Sequence, residues 1–312
     1  MPAQRTAQRT ARHTAQRTAQ RTVVTALTTP FTADGDLDLP AARAQYAFAA
    51  RTTGQLLVAG TTGEFPALSD GERMLLTETA LAEAGADAVI AHIGAPDAHG
   101  AARLARAAVA AGARRLAALT PYYLPASPDE LLTYFSRIRD AAPTAQLYAY
   151  LFPERSGLTV DPVLLGELAA SCGLSGVKLS GAPSAEVAAY RAELPEDFEV
   201  YSGNDRRLAD VLAAGGAGVV SGCSAAFPEP FLALSSALST ALASGASDPS
   251  ADLPALQARV DRTVDLLGPS IGRIKHAQRT RGLPAGTSRM TVGDPDQRTA
   301  AAIEALGREV LG

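Results

Sequence analysis

Residues 88–119 read AVIAHIGAPDAHGAARLARAAVAAGARRLAAL, and they form one unit of a repeating pattern. The apolar run at 88–94 has the length of a buried strand. Residues 98–111 are rich in Ala and Arg with apolar side chains at helical spacing, and Gly112 stands where a helix C-terminal cap is needed. A second apolar run, 115–119, follows at once. Strand, helix and strand with a short return is the unit of a parallel sheet covered by helices.

The same alternation runs outward in both directions. Apolar runs at 23–31, 55–60, 146–150, 175–180, 198–203 and 218–222 complete a set of eight predicted strands. Stretches of helical periodicity lie between them, clearest at 70–84 and 128–141. Ser69-Asp70 and Ser127 mark helix starts, and Gly215 suits a C-terminal cap. Eight strands, each followed by a helix, predict an α/β fold: a closed TIM (β/α)8 barrel over 23–246 rather than an open doubly wound sheet. No G-x-G-x-x-G follows a strand, which gives a dinucleotide fold little support. After a Ser/Ala/Gly/Pro-rich stretch at 244–254, further helical segments predict a C-terminal helical extension over 247–312.

Before the first strand, residues 3–22 are five tetrapeptides, four of them Ala-Gln-Arg-Thr. A period of four sustains no amphipathic face, so the tract at 1–22 reads as a disordered tail. A transit peptide is the formal alternative, since the tract is basic and acid-free. Its five arginines mask the body: without them the net charge of −4 becomes −9. An acidic body with no basic stripe argues against a nucleic-acid partner. No segment has about 18 uninterrupted apolar residues, so no membrane span is expected, and no secretory apolar run opens the chain. Cys172 and Cys223 read as small buried hydrophobes of a reducing compartment, and a cytoplasmic location is the expectation.

Of the 28 basic side chains only Lys178 and Lys275 are lysines; the rest are arginine. Arginine can replace a surface lysine at little cost, but not one whose amine must lose its proton. Lys275 falls in the polar helical stretch Arg273-Ile274-Lys275-His276, where a solvated face is expected. Lys178 falls at the end of the sixth strand, in Gly176-Val177-Lys178. Reacting groups of such barrels sit at the carboxyl ends of the strands. An amine there is a candidate nucleophile that forms a Schiff base with a ketone, and a nearby phenol can carry its protons. Strand five ends at Tyr150, and strand four leads to Tyr122 and Tyr123. Strand two ends in Gly60-Thr61-Thr62-Gly63-Glu64, whose turn could cradle a small carboxylate or be an ordinary loop. His13, His92, His99 and His276 are scattered, no ligand-spaced cluster of Cys, Asp or Glu occurs, and G-x-S-x-G is missing. No metal is therefore expected.

Taken in order along the chain, these strand ends resemble the dihydrodipicolinate synthase and N-acetylneuraminate lyase family of class I aldolases. The anchors are Thr29-Pro30-Phe31, Gly60-Thr61-Thr62-Gly63-Glu64, Pro121-Tyr122-Tyr123, Tyr150 with Pro153-Glu154-Arg155-Ser156-Gly157, Gly176-Val177-Lys178, and Gly215-Gly216-Ala217-Gly218-Val219-Val220-Ser221. The resemblance implies that Lys178 forms the imine with pyruvate or another 2-keto acid and that Tyr150 passes protons. Thr61 and Tyr123 would complete the relay, Thr62 would hold the carboxylate, and Arg155 would meet a carboxylate of the second substrate. Val220 would line the site with its backbone, and Tyr122 would reach across a contact between two chains of a homotetramer. No cofactor is implied; the partners are small molecules.

Departures from the pattern keep the substrate open. Phe65-Pro66 replaces a small polar start after the Gly-Thr-Thr-Gly-Glu turn, Leu179 stands where an acidic residue usually follows the lysine, and Tyr150-Leu151-Phe152-Pro153 replaces Tyr-Asn-x-Pro. Residues 221–229 look more like sugar-acid aldolases, whereas Arg155 and the two threonines lean toward a synthase. Both remain expectations, and a catalytically silent keto-acid-binding paralogue is the alternative from another class.

Overall fold

The computed structural model describes residues 22–244 and 252–312, so the repeat tract up to residue 21 and part of the 244–254 stretch lie outside the described residues. Eight parallel strands among them close into a barrel in chain order: β1 (Val23–Ala26), β2 (Leu56–Val58), β3 (Val89–His92), β4 (Arg115–Leu119), β5 (Gln146–Leu151), β6 (Gly176–Leu179), β7 (Glu199–Ser202) and β8 (Gly218–Ser221). Pairing of Val24 with Val220 shuts the ring between β8 and β1.

A helix follows each strand: α1 (Leu39–Arg51), α2 (Asp70–Ala84), α3 (Ala98–Ala110), α4 (Pro128–Ala141), α5 (Pro162–Cys172), α6 (Val187–Ala192), α7 (Leu208–Ala213) and α8 (Glu229–Ser244). Serines start two of them as expected. Ser69 and Ser127 each accept the N–H of a glutamate three residues on, Glu72 and Glu130, whose carboxylate returns a bond to the serine N–H. Such reciprocal caps satisfy backbone donors that the first turn leaves unpaired. Gly112 (φ +99°) and Gly215 (φ +74°) take the left-handed conformation beyond α3 and α7 that favours glycine.

Alternation along the strands sorts side chains into two layers. Leu147, Ala149 and Leu151 of β5, with Val177 and Leu179 of β6, face outward and pack with Leu104, Phe135 and Leu165 of the surrounding helices. Val24, Ala26, Leu57, Ile90, Ala117, Tyr148, Tyr201 and Val220 fill the interior. The amino-terminal end is plugged by polar groups: Tyr148 donates to Glu199 (2.6 Å), and buried Arg115 donates to Tyr148 (3.2 Å) and pairs with Glu199 (3.4 Å). A buried guanidinium is tolerable there because its donors are matched.

The C-terminal extension continues beyond α8 as α9 (Leu253–Leu267), α10 (Ile271–Thr280) and α11 (Gln297–Leu311). Their apolar faces, with Val260, Leu267, Ile274, Ala277, Ile303 and Leu306, share one cluster with Phe227 and Phe231 against Val23 and Val219 of the barrel. Both cysteines are free and buried. No described helix is long and apolar enough to cross a membrane.

Two expectations are corrected. The first apolar run leaves the sheet at Ala26 rather than at residue 31. Beyond it Phe31 makes isolated bridges to Leu37 and Thr287, tying the exit of β1 to the C-terminal segment. Lys275 is not on a solvated face: it is 1% exposed, because a fully buried carboxylate, Glu64, lies 2.8 Å from its ammonium.

Candidate active site

Period two along β5 and β6 puts Tyr148 and Tyr150, and Gly176 and Lys178, on the inner face, and the ladder register sets Tyr150 directly beside Lys178. Gly176 has no side chain because a Cβ there would meet the Tyr148 ring at 2.6 Å. Lys178, one step further along, is half-buried at the carboxyl end of the barrel. Its Nζ lies 4.1 Å from the centre of the Tyr150 ring, a distance at which the ring's negative face attracts a cation.

The Tyr150 hydroxyl is 3.2 Å from Thr61 Oγ1. Amine, phenol and threonine hydroxyl are thus gathered at one mouth. The ring of Tyr150 is buried, with Phe152 stacked beside it (6.1 Å, 27°) and His92 edge-on (6.1 Å). Phe65 packs on His92 (4.5 Å) and meets Tyr122 edge-on (5.7 Å). Such aromatic contacts fix the phenol more tightly than burial alone.

The turn after β2 brings Thr61 and Thr62 to the same mouth. Three described non-glycine residues have positive φ, and two of them, Ala59 (+51°) and Glu64 (+57°), flank this turn. Strain of about 1–3 kcal/mol per such residue persists only where the surroundings hold it. Here Thr29 donates to the Gly63 carbonyl (2.7 Å), Glu64 N–H to Thr61 (3.1 Å) and Phe65 N–H to Gly60 (3.2 Å). Thr62 faces Gly222 just beyond β8: a Cβ on that glycine would stand 3.4 Å from Thr62 Oγ1. Val220, two residues before it, is buried in the barrel interior.

The remaining expected residues are placed apart from this trio. Tyr123, the third positive-φ residue (+82°), is 92% exposed and turned to solvent, outside the Tyr150–Thr61 pair within one chain. Tyr122, expected at a contact between chains, is the half-buried one of the two and packs on Phe65. Arg155 is exposed on the short helical turn Pro153–Ser156, its guanidinium 5.7 Å over the Phe152 ring.

Two buried titratable groups near the site were missed in the sequence. The His92 ring lies between two donors, with Arg73 Nη2 3.2 Å from Nδ1 and the Leu119 N–H 3.4 Å from Nε2. Burial first, then the charges of Arg73 and Lys178, hold His92 well below the usual histidine range. Asp205, just after β7, accepts from Ser221 Oγ (2.8 Å), and burial pushes its carboxyl up to about 6 against the hydrogen bonds and the Lys178 charge that lower it. His92 lies within an expected strand, and its inward side was the available signal. Nothing in the local pattern marks Asp205.

Comparison with known proteins gives a consistent picture. The model of the Dihydrodipicolinate synthetase family matches residues 19–305. The 4-hydroxy-tetrahydrodipicolinate synthase of Moorella thermoacetica is 33% identical over 285 residues, 89% of this chain and 96% of its own. Among solved structures, YagE, a prophage protein of the dihydrodipicolinic acid synthase family from E. coli K12 in complex with pyruvate, superposes with a TM-score of 0.82 at 25% identity. It covers 93% of this chain and 98% of its own. The Ruminococcus gnavus sialic acid aldolase shares the fold (TM-score 0.83, 18% identity, 94% and 97% covered). With the family pattern spanning the barrel and most of the helical extension, the chain belongs to the dihydrodipicolinate synthetase family.

Proposed function

We propose that the chain is a Schiff-base lyase of the class I aldolase type that joins pyruvate to an aldehyde bearing a carboxylate, as a 4-hydroxy-tetrahydrodipicolinate synthase does with aspartate semialdehyde. The observation that carries this reading is the placement of the Lys178 amine 4.1 Å from the Tyr150 ring, with the phenol on Thr61.

In this mechanism the amine of Lys178 adds to the ketone carbon of pyruvate, and the carbinolamine loses water to give the imine. The imine withdraws electrons from the methyl carbon, which loses a proton to give an enamine. The enamine carbon attacks the aldehyde carbon, forming the new C–C bond, while the aldehyde oxygen takes up a proton. Water then releases the product from Lys178. Tyr150, relayed by Thr61, is the group placed to move these protons. Thr61 and Thr62 hold the keto-acid carboxylate in the turn, Val220 backs the site, and exposed Arg155 receives the carboxylate of the second substrate.

Tyr123 completes the relay from outside its own chain. Its exposure, with that of Leu124 (69%), supports reading the edge of the mouth as a surface for a second copy, in a homotetramer built from such contacts. Tyr123 rather than Tyr122 is the tyrosine positioned to cross it. Cleavage of a 2-keto-3-deoxy acid runs the same bond changes backward. The aromatic wall of Phe65 and Phe152 is the feature that favours a substrate other than aspartate semialdehyde.

A panel of aldehydes incubated with pyruvate tests the proposal. Pyruvate consumption dependent on a carboxylated aldehyde, and lost in Lys178→Arg, is the expected result. Turnover that survives in Lys178→Arg contradicts it, since guanidinium keeps the charge but forms no imine.

A further inference from the structure

Lys275 is the second of the chain's two lysines and the reaction does not use it. Its ammonium has three N–H donors, and three acceptors converge on it: Glu64 Oε1 (2.8 Å), the Thr29 carbonyl (2.7 Å) and the Thr287 carbonyl. The other oxygen of Glu64 accepts the backbone N–H groups of Arg289 (3.0 Å) and Met290 (2.8 Å). Both side chains are sealed from water, at 2% and 0% exposure. A planar guanidinium could not serve three acceptors around one point, which accounts for a lysine in an arginine-rich chain.

A buried ion pair is poor evidence of stability, because an apolar pair of the same volume often does as well. What this pair does is geometric. Glu64 closes the turn that carries Thr61 and Thr62, and it does so with a left-handed backbone. Lys275 grips that residue and the exit of β1 together, at Thr29, whose hydroxyl also holds Gly63. Ile274, the neighbour of Lys275 on α10, and Thr62 both flank Gly222, at 3.2 and 3.4 Å from where its Cβ would be. Arg289, which caps Glu64 through its backbone, places its guanidinium on both oxygens of Glu72 in the first turn of α2 (2.6 and 2.9 Å). The β2–α2 connection is therefore held at both ends by the C-terminal layer.

We infer that the Glu64–Lys275 pair is a positioning device that makes the C-terminal helical layer part of the 2-keto-acid site, by fixing Thr61 and Thr62 where they meet the substrate carboxylate. This rests on the proposed roles of Thr61 and Thr62. Lys275 and Glu64 touch no reacting atom.

The test uses the full chain and borohydride trapping of the pyruvate imine, titrated with pyruvate. Lys275→Met, and the charge-free Glu64→Gln/Lys275→Met pair as a variant that leaves no uncompensated charge, are compared with Arg262→Met. Arg262 makes an exposed ion pair with Glu309 in the same layer. Both site variants are expected to reach full Lys178 labelling at saturating pyruvate, with half-saturation raised about tenfold, the scale of one hydrogen bond to a charged group. The constant for the aldehyde and the behaviour of Arg262→Met should not move. An unchanged half-saturation in a folded site variant overturns the inference, and so does failure of both variants to fold, which would assign the pair to stability alone. A wild-type chain that forms no adduct overturns the Schiff-base reading instead, and the same experiment separates the two.

Discussion

Lys178 and Tyr150 are neighbours across the β5–β6 ladder, and that register places the lysine Nζ 4.1 Å from the centre of the tyrosine ring. Two rigid strands therefore hold the amine and its phenol, leaving neither to a loop. The third member, Thr61, comes from a turn whose backbone is strained on both sides and pinned by hydrogen bonds. Each partner of this arrangement makes a separate prediction.

Tyr150→Phe keeps the ring under Lys178 and removes the hydroxyl bonded to Thr61. Loss of a positioned proton carrier should lower kcat by about 10²–10⁴-fold, with a smaller change in the KM for pyruvate. Steady-state kinetics check this; a fall of less than about threefold would remove Tyr150 from the relay.

Arg155→Ala should raise the KM of a carboxylated aldehyde by about 10–100-fold, the loss of a charge-assisted hydrogen bond, and leave the pyruvate constant near its original value. The side chain is exposed and stacks only on Phe152 in the free chain, so little stability should be lost. Equal effects on the two substrates would contradict its assignment.

Gly222→Val should crowd Thr62, because even a single Cβ there stands 3.4 Å from Thr62 Oγ1 and 3.2 Å from Ile274 Cδ1. Gly222 has an ordinary helical backbone, so the effect is steric rather than conformational. The pyruvate KM should rise with a folded circular dichroism spectrum retained. An unchanged KM would place the carboxylate elsewhere.

Stability should depend on pH through His92. Its folded pKa lies well below 6.5, so below that pH the unfolded chain binds a proton that the folded chain refuses. The stabilisation is present above about pH 6.5 and is lost as pH falls, by at most about 1.4 kcal/mol per pH unit for one proton. Asp205, raised from 3.8 to about 6, acts in the opposite sense: the folded chain holds the extra proton, and stability falls as pH rises through that window. Comparing wild type with His92→Gln cancels the Asp205 contribution. The wild-type-minus-variant difference in urea midpoint should grow as pH rises from 5 to about 6.5 and then level off; a difference independent of pH would mean His92 is not the titrating group.

Much of this site is legible in the sequence because strand ends are. Lys178, Tyr150 and Thr61 each close an apolar run, and a closed barrel brings the carboxyl ends of such runs to one mouth. Helix limits were readable for a local reason too, since Ser69 and Ser127 carry their capping glutamates three residues on. The sequence carries no mark of the geometric difference between adjacent Tyr122 and Tyr123: Tyr123 is exposed at φ +82°, whereas Tyr122 packs on Phe65. Lys275 was misread as solvated because its partner Glu64 is 211 residues away, and periodicity records nothing about so distant a counter-charge. The end of β1 at Ala26 was hidden in the same way: Leu27 and Phe31 are buried beyond the ladder, and the hydroxyls of Thr28 and Thr29 between them bond to Gln45, Gln278 and Gly63.

Borohydride reduction with and without pyruvate, followed by peptide mass mapping, tests the central claim most directly. The account predicts a reduced pyruvate adduct on Lys178 alone, absent without pyruvate and absent in Lys178→Arg. An unmodified Lys178 after reduction in saturating pyruvate, or an adduct on Lys275 instead, would contradict it.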